Sequence, residues 1–406
     1  MKHRLHIVAC VLLAFLLSSC GGFVSYLQKR KAVKSGYVTQ QGFVKEIPFE
    51  KYVSDKFIIE ARINGLGKTY RFIIDTGALS AVSREVAEEL GLIGKGNANP
   101  LPHVVMDQLE IEGLVFNRVG TRVMDIAKDP FLAKCARVDG VIGSSVLKHF
   151  LWHFDFRNNR ILVSDSYDSL PTASNAIDLP FTPDHYNRAL VHCTFPNGVV
   201  KKIIFDTGGQ GFHVSDKSLF HSLQNQVDYQ VNYGLAGYGE KGPLYDTSYT
   251  ARVPRFKVAQ MPVDTVEVQF TKGPHNFVGW QFLQNYTVTF DWQRKIVRLV
   301  PYAQPRTVGN PQSFGLSLFY HLDEPSQEMH LQVAGIVKGS PAEKAGLQIG
   351  DRVIRVDGKD YRIITSECEV FQGLGESSQL LRLTILKGAD EREVTIRPDF
   401  VYGKSE

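Results

Sequence analysis

The sequence predicts a mainly β protein in which one lobe is duplicated and a smaller third unit follows. Three observations predict it. Short runs rich in Val, Ile and Phe recur along the chain, punctuated by Gly, Asn and Asp, as strands are by turns. Two segments built around an Asp-Thr-Gly triplet carry the same landmarks in the same order. The chain has 406 residues, more than one ordinary domain, and a proline-bearing stretch from Pro301 to Pro311 separates the duplicated part from the rest.

Lys2 and Arg4 precede an apolar run from Ile7 to Leu17 that is short for a bilayer span, and Leu17-Ser18-Ser19-Cys20 follows, then Gly21-Gly22. This resembles a bacterial lipobox. The resemblance implies a signal peptide over 1–20, lipidation of Cys20 as the mature N-terminus, and an exported protein anchored at a bacterial membrane. Several acyl chains on one cysteine hold firmly where one would be marginal. No acidic residue follows Cys20, which by resemblance to Gram-negative lipoproteins favours the outer membrane, facing the periplasm. Residues 21–45 are polar and basic, with Lys29-Arg30-Lys31 and Lys34, and are expected to be a tether. The formal charge of +4 is otherwise dispersed, so no nucleic-acid partner is expected.

A first lobe is expected over 46–170 and a second over 171–302. In the first, Phe57 to Ile63, Asn64-Gly65 and Tyr70 to Ile74 read as strand, turn, strand, leading into Asp75-Thr76-Gly77-Ala78. In the second, Lys202 to Phe205 leads into Asp206-Thr207-Gly208-Gly209. Each triplet is followed by Val-Ser (Val82-Ser83, Val214-Ser215) and a short helical stretch. Each later has two apolar residues and a glycine, ending at Gly143 and Gly279, 68 residues after Asp75 and 73 after Asp206. Both copies close on a hairpin-like segment, Phe154 to Val163 and Phe290 to Leu299. In the third unit, over 312–400, Leu331 to Val337 reads as a strand. Ser340 and Pro341 start a short helix that Gly346 can end, and further strands follow.

Two Asp-Thr-Gly loops related by pseudo-symmetry would set Asp75 beside Asp206. Carboxylates in contact cannot both ionise easily, so the pair would share one proton, one member acting as base and the other as acid on a water. The glycines allow a tight turn with free amides, and the threonine hydroxyls can bond backbone in the facing copy. This pattern resembles the retropepsin and pepsin-like aspartic peptidases over roughly residues 45–300. The resemblance implies bilobal acid-protease-like β-barrel lobes, catalytic Asp75 and Asp206, and support of the dyad by Thr76, Gly77, Thr207 and Gly208. It implies an aspartic-type endopeptidase acting on polypeptides by water, without cofactor or metal. Gly209 departs from the usual small hydroxyl or alanine. The first lobe is short where a flap is expected, at Asn97 to Pro102, and the second is roomier at Tyr233 to Lys241, where Tyr238 is weighed as a flap residue and read instead as a loop residue. His149 and His153 lack a third metal ligand, and no Gly-x-Ser-x-Gly elbow appears.

Phe314-Gly315-Leu316 before a strand, and Gly339 to Ile354, resemble a bacterial PDZ domain. The resemblance implies that amides of Phe314, Gly315 and Leu316 receive a peptide C-terminal carboxylate. A rival reading is an inactive lipoprotein that holds peptides in the same cleft and the PDZ groove. Of the cysteines beyond Cys20, Cys135, Cys193 and Cys368 fit neither a disulfide framework nor a zinc site. They are expected to be buried small apolar residues, with a Cys135–Cys193 bond left open.

Overall fold

The computed structural model describes residues 25–52, 56–96, 101–171, 173–239, 242–304, 312–323, 328–364, 366–371, 379–400 and 402. The signal peptide, Cys20, most of the Pro301–Pro311 stretch and parts of both expected flap segments lie outside the described residues.

Strand Lys56–Ile63 buries Phe57 to Ile59, Ala61 and Ile63 and turns back into Thr69–Ile74. The turn works because Asn64 and Gly65 both take left-handed backbone, which these two residue types accept most readily. Thr69–Ile74 runs parallel to Gly140–Ile142, which pairs with Ala81–Ser83, which in turn runs parallel to Leu114–Met124. The hairpin partner of Leu114–Met124, His103–Ile111, pairs back onto Lys56–Ile63, closing six strands into a barrel. The second copy repeats this order. Ala189–Thr194, Val200–Phe205, Phe277–Val278, Phe212–Val214, Met261–Phe270 and Ser248–Val258 pair in series and close at Cys193–Val258.

The hairpins that end the two copies meet. Leu151–Asp155 pairs with Tyr286–Asp291, giving a six-stranded antiparallel sheet from Val44–Glu46 to Ile177–Pro183 that bridges both barrels. Trp152, Phe154 and Phe290 lie fully buried along it, and one apolar core runs unbroken from Ile47 to Leu299. With no gap in apolar burial between the barrels, neither can separate without exposing the sheet's inner face.

The third unit has its own core around Leu331, Val333, Val353 and Ile385. Ser340 caps the helix Pro341–Lys344 by accepting from the Glu343 amide, and Gly346 ends it in left-handed backbone.

Three expectations are corrected here. Acid-protease-like lobes followed by a separate PDZ-like domain do not describe the arrangement. The chain forms two closed six-stranded barrels with the third unit fused to them, because Asn232–Gly234 of the second barrel pairs as a strand with Gly335–Val337. The cysteine reading changes too: Cys135 of the first barrel is bonded to Cys368 of the third unit, while Cys193 is a free, buried thiol in the second barrel's core. Sequence separation of 233 residues hid that pairing. The expected tether is ordered in part. Residues 25–34 are helical, Ala32 and Val33 are buried, and Tyr37 pairs with Asn117. Gly120 makes this docking possible, since any side chain there would strike the Ala32 carbonyl. Among the described residues no helix is long and apolar enough to cross a membrane.

Candidate active site

Each Asp-Thr-Gly loop leaves the end of a buried strand and is fixed by the strand beside it. The Asp75 amide donates to Ile142 O at 2.9 Å, and the Asp206 amide to Val278 O at 2.9 Å. The loops then interlock. Thr76 Oγ1 donates to Phe205 O at 2.7 Å and accepts from the Thr207 amide at 2.9 Å. Thr207 Oγ1 accepts from the Thr76 amide at 3.2 Å and donates to Ile74 O at 3.4 Å. Both threonines are buried, so each bond lost leaves an unmatched polar group, at a cost of about 1–3 kcal/mol.

This lock presses the two carboxyls together. The Gly77 amide donates to Asp75 Oδ1 and the Gly208 amide to Asp206 Oδ1, each at 2.7 Å, while the Gly209 amide adds a bond to Asp206 Oδ1 at 3.0 Å. A methyl group on Gly77 would sit 2.5 Å from Asp206 Oδ2, and one on Gly208 would sit 2.5 Å from Asp75 Oδ2. Glycine is therefore required twice, for close approach rather than for a positive φ. Burial first, then the charge of Asp75 and a hydrogen bond with it, hold the Asp206 carboxyl well above the ordinary carboxylate range. Lys56 and the Gly208 amide oppose that shift. The arrangement can keep one proton between two acids, with room for polar chemistry at a single point.

Two cations flank the loops. Arg188 Nη1 donates to Gly77 O at 3.4 Å and is held by Asp184 through a buried ion pair at 2.7 Å. Lys56 Nζ donates to Gly208 O. Sequence reading passed over both, because neither stands inside a motif and their place beside the Asp-Thr-Gly strands follows from strand register.

Tyr238 lies on strand Asp228–Gly239, paired with Gly242–Tyr245 as a hairpin of the second barrel. Its hydroxyl donates to Asp129 Oδ1 of the first barrel at 3.1 Å, and its ring packs 5.8 Å from Phe319 of the third unit. It thus touches all three parts of the molecule. The expected carboxylate loop lies apart from the aspartates, in the third unit. Gly315 has a φ of +68°, its amide is taken by Ser313 Oγ at 3.0 Å, and its carbonyl accepts from the Val337 amide at 2.9 Å. Phe314 and Leu316 pack partly buried on that unit's core. A cavity of about 330 Å³ opens beside Gly315, lined by Tyr229, Ser313, Lys338, Ser340 and Phe400. His153 is occupied by Thr289 Oγ1 at 2.9 Å, and burial pushes His149 down to about 4, as befits core histidines.

Sequence comparison gives two domain-length family matches. A family model described as Aspartyl protease matches residues 59–146, and one described as PDZ domain matches residues 306–386. Curated relatives include a "Probable CtpA-like serine protease" of Staphylococcus saprophyticus, 36% identical over 75 residues, 18% of this chain and 15% of the relative. "Serine protease HTRA2, mitochondrial" of Drosophila sechellia is 36% identical over 76 residues, 18% and 17% of the two chains. A second CtpA-like protein, from Staphylococcus haemolyticus, is 29% identical over 110 residues, 26% and 22% of the two chains. The chain thus spans about a fifth of the length of these relatives. Their names correct the expected kinship: the curated proteins it resembles are serine proteases, not the pepsin-like or retropepsin-like aspartic endopeptidases expected from sequence. The likeness is one domain long, and serine chemistry is a property of those proteins. Among the described residues of this chain no hydrogen bond joins a serine to a histidine side chain.

Proposed function

We propose that the protein hydrolyses peptide bonds at Asp75 and Asp206, with a polypeptide crossing the surface between the barrels. Asp206 holds the shared proton and polarises the peptide carbonyl, while Asp75 takes a proton from the attacking water. The C–O bond forms, the C–N bond breaks, and the proton passes to the leaving amine. Thr76, Gly77, Thr207 and Gly208 hold the two acids in contact. The third unit receives a peptide C-terminus at Phe314, Gly315 and Leu316, the terminal carboxylate replacing Ser313 Oγ as the acceptor for the Gly315 amide. The protein is exported and held at a membrane through lipid on Cys20. The observation that carries this reading is the reciprocal packing of each loop's glycine onto the other loop's carboxyl.

The test is incubation of the full chain with a mixed peptide library, read by mass spectrometry. Asp75→Asn and Asp206→Asn each abolish cleavage, and the double variant is no worse than either, because groups that act as a unit are not additive. A serine nucleophile, as the relatives' names suggest, predicts the opposite pattern: cleavage that survives both substitutions and is lost to a fluorophosphonate. A second reading, peptide holding without cleavage, draws support from the Tyr238–Asp129 bond that ties the hairpin down. It predicts library peptides retained uncut by the wild type and released by the Asn variants.

A further inference from the structure

The two flanking cations are the same position, occurring once in each copy. In the first barrel Ile58 pairs with Ile73, two residues before Asp75; in the second, Leu190 pairs with Ile204, two residues before Asp206. Lys56 and Arg188 each stand two residues before these partners, so the duplication superposes them. Each reaches across to the other copy's loop, Lys56 to Gly208 O and Arg188 to Gly77 O.

Their electrical situations differ. Arg188 is buried and neutralised by Asp184, with three bonds to that one carboxylate. Lys56 is half-buried, and among the described residues no carboxylate ion-pairs with it. The other charged or titratable groups near the loops do not replace it. His185 and His275 face the Arg188–Asp184 pair, and His213 is stacked 4.5 Å from Phe277 and kept neutral by burial. Lys51 is placed over the Trp280 ring at 4.6 Å. Among the described residues, what remains opposite Lys56 is the pair of acids, which carries one negative charge when it holds one proton.

We propose that Lys56 is a positioning residue that holds the Asp75/Asp206 pair in its singly ionised form, acting through the Gly208 loop, while its counterpart Arg188 is structural. A cation beside two acids in contact makes the loss of the first proton easier and so keeps the pair ready at lower pH. The effect on Asp206 acts in that direction. Because the ammonium is bonded to a carbonyl rather than to a carboxylate oxygen, it contributes charge without taking an oxygen needed for chemistry.

This inference rests on the reading of Asp75 and Asp206 as the reacting pair, and its test has a readout that does not depend on turnover. The full chain is prepared as wild type, Lys56→Met and Lys56→Arg. The acid limb of the pH–rate profile is followed, along with the titration of the ¹³C-labelled aspartate carboxyls by NMR. In Lys56→Met both move to higher pH by about one unit, and Lys56→Arg restores them. Carboxyl titrations that coincide in wild type and Lys56→Met would overturn the proposal, whatever the activity. If no variant cleaves peptides, the proposed reaction fails, and the carboxyl titration still decides the role of Lys56.

Discussion

A buried acid that keeps its proton leaves a mark on stability as well as on chemistry. Asp206 is neutral in the folded protein over a range where an unfolded aspartate is ionised, because burial and Asp75 penalise its charge. The folded state therefore binds more protons than the unfolded one in that range, and stability falls as pH rises from the ordinary carboxylate region toward the raised folded value. Asp206→Asn removes the titration and keeps the shape. Its melting temperature is expected to exceed that of the wild type at neutral pH and to approach it near pH 4, by calorimetry across that range. Equal pH dependence in the two proteins would contradict the burial argument. At this scale the triplets were legible, since two copies of Asp-Thr-Gly at strand ends point to paired acids. Lys56 and Arg188 were not, because their meaning lies in strand register, and register is decided by pairing across the sheet.

Among the elements, the hairpin formed by Asp228–Gly239 and Gly242–Tyr245 is fastened at both ends. Near its base Gly234, at φ +91°, lets the strand lie against Ala334 and Gly335 so closely that a side chain would strike the Ala334 carbonyl. Toward its tip Tyr238 meets Asp129 and Phe319. The seat for that tip is the segment Phe131–Cys135, itself joined to the third unit by the Cys135–Cys368 bond and by the Lys134–Glu367 ion pair at 2.6 Å. Cys368→Ser is expected to loosen the tip but not the barrels: amide exchange over 228–245 speeds by about tenfold or more, while that of Thr69–Ile74 is unchanged. Uniform acceleration across the chain would instead mark the bond as a general staple. Sequence reading gave local features elsewhere in the chain, such as the Asn64-Gly65 turn and the Ser340 cap, because neighbouring residues determine them. It missed the seat of the tip, which three distant segments build together. It also missed the helix over 25–34, whose two buried residues, Ala32 and Val33, are adjacent and give no helical periodicity to detect.

At the scale of the whole molecule, the third unit is both a reader of peptides in the proposed function and a wall of the hairpin's seat. Binding of a peptide at Phe314, Gly315 and Leu316 is expected to require its free carboxylate. A peptide with an amidated C-terminus should bind at least about tenfold more weakly by calorimetry, because the loop amides lose their anion. Equal affinity for acid and amide would rule that mode out. The fused arrangement was the least legible feature of all. A three-residue stretch of a longer strand, such as Asn232–Gly234 within Asp228–Gly239, can pair with any free edge, and nothing in its residues names Gly335–Val337 as the partner.

The bond between Cys135 and Cys368 also fixes an order of events. The chain between the two cysteines contains the entire second barrel, Asp206 included. As the protein emerges from its N-terminus, Cys135 has no Cys368 to bond with until the chain has been made through the second barrel and into the third unit. Closing so long a loop removes about 5 kcal/mol of disorder from the unfolded chain, and this stabilisation arrives only at the end. The cross-link is thus a completion mark. A molecule truncated before Cys368 carries both aspartates and the sequence of both barrels but has an unbonded thiol at position 135, and a thiol-reactive tag would single it out from the finished protein.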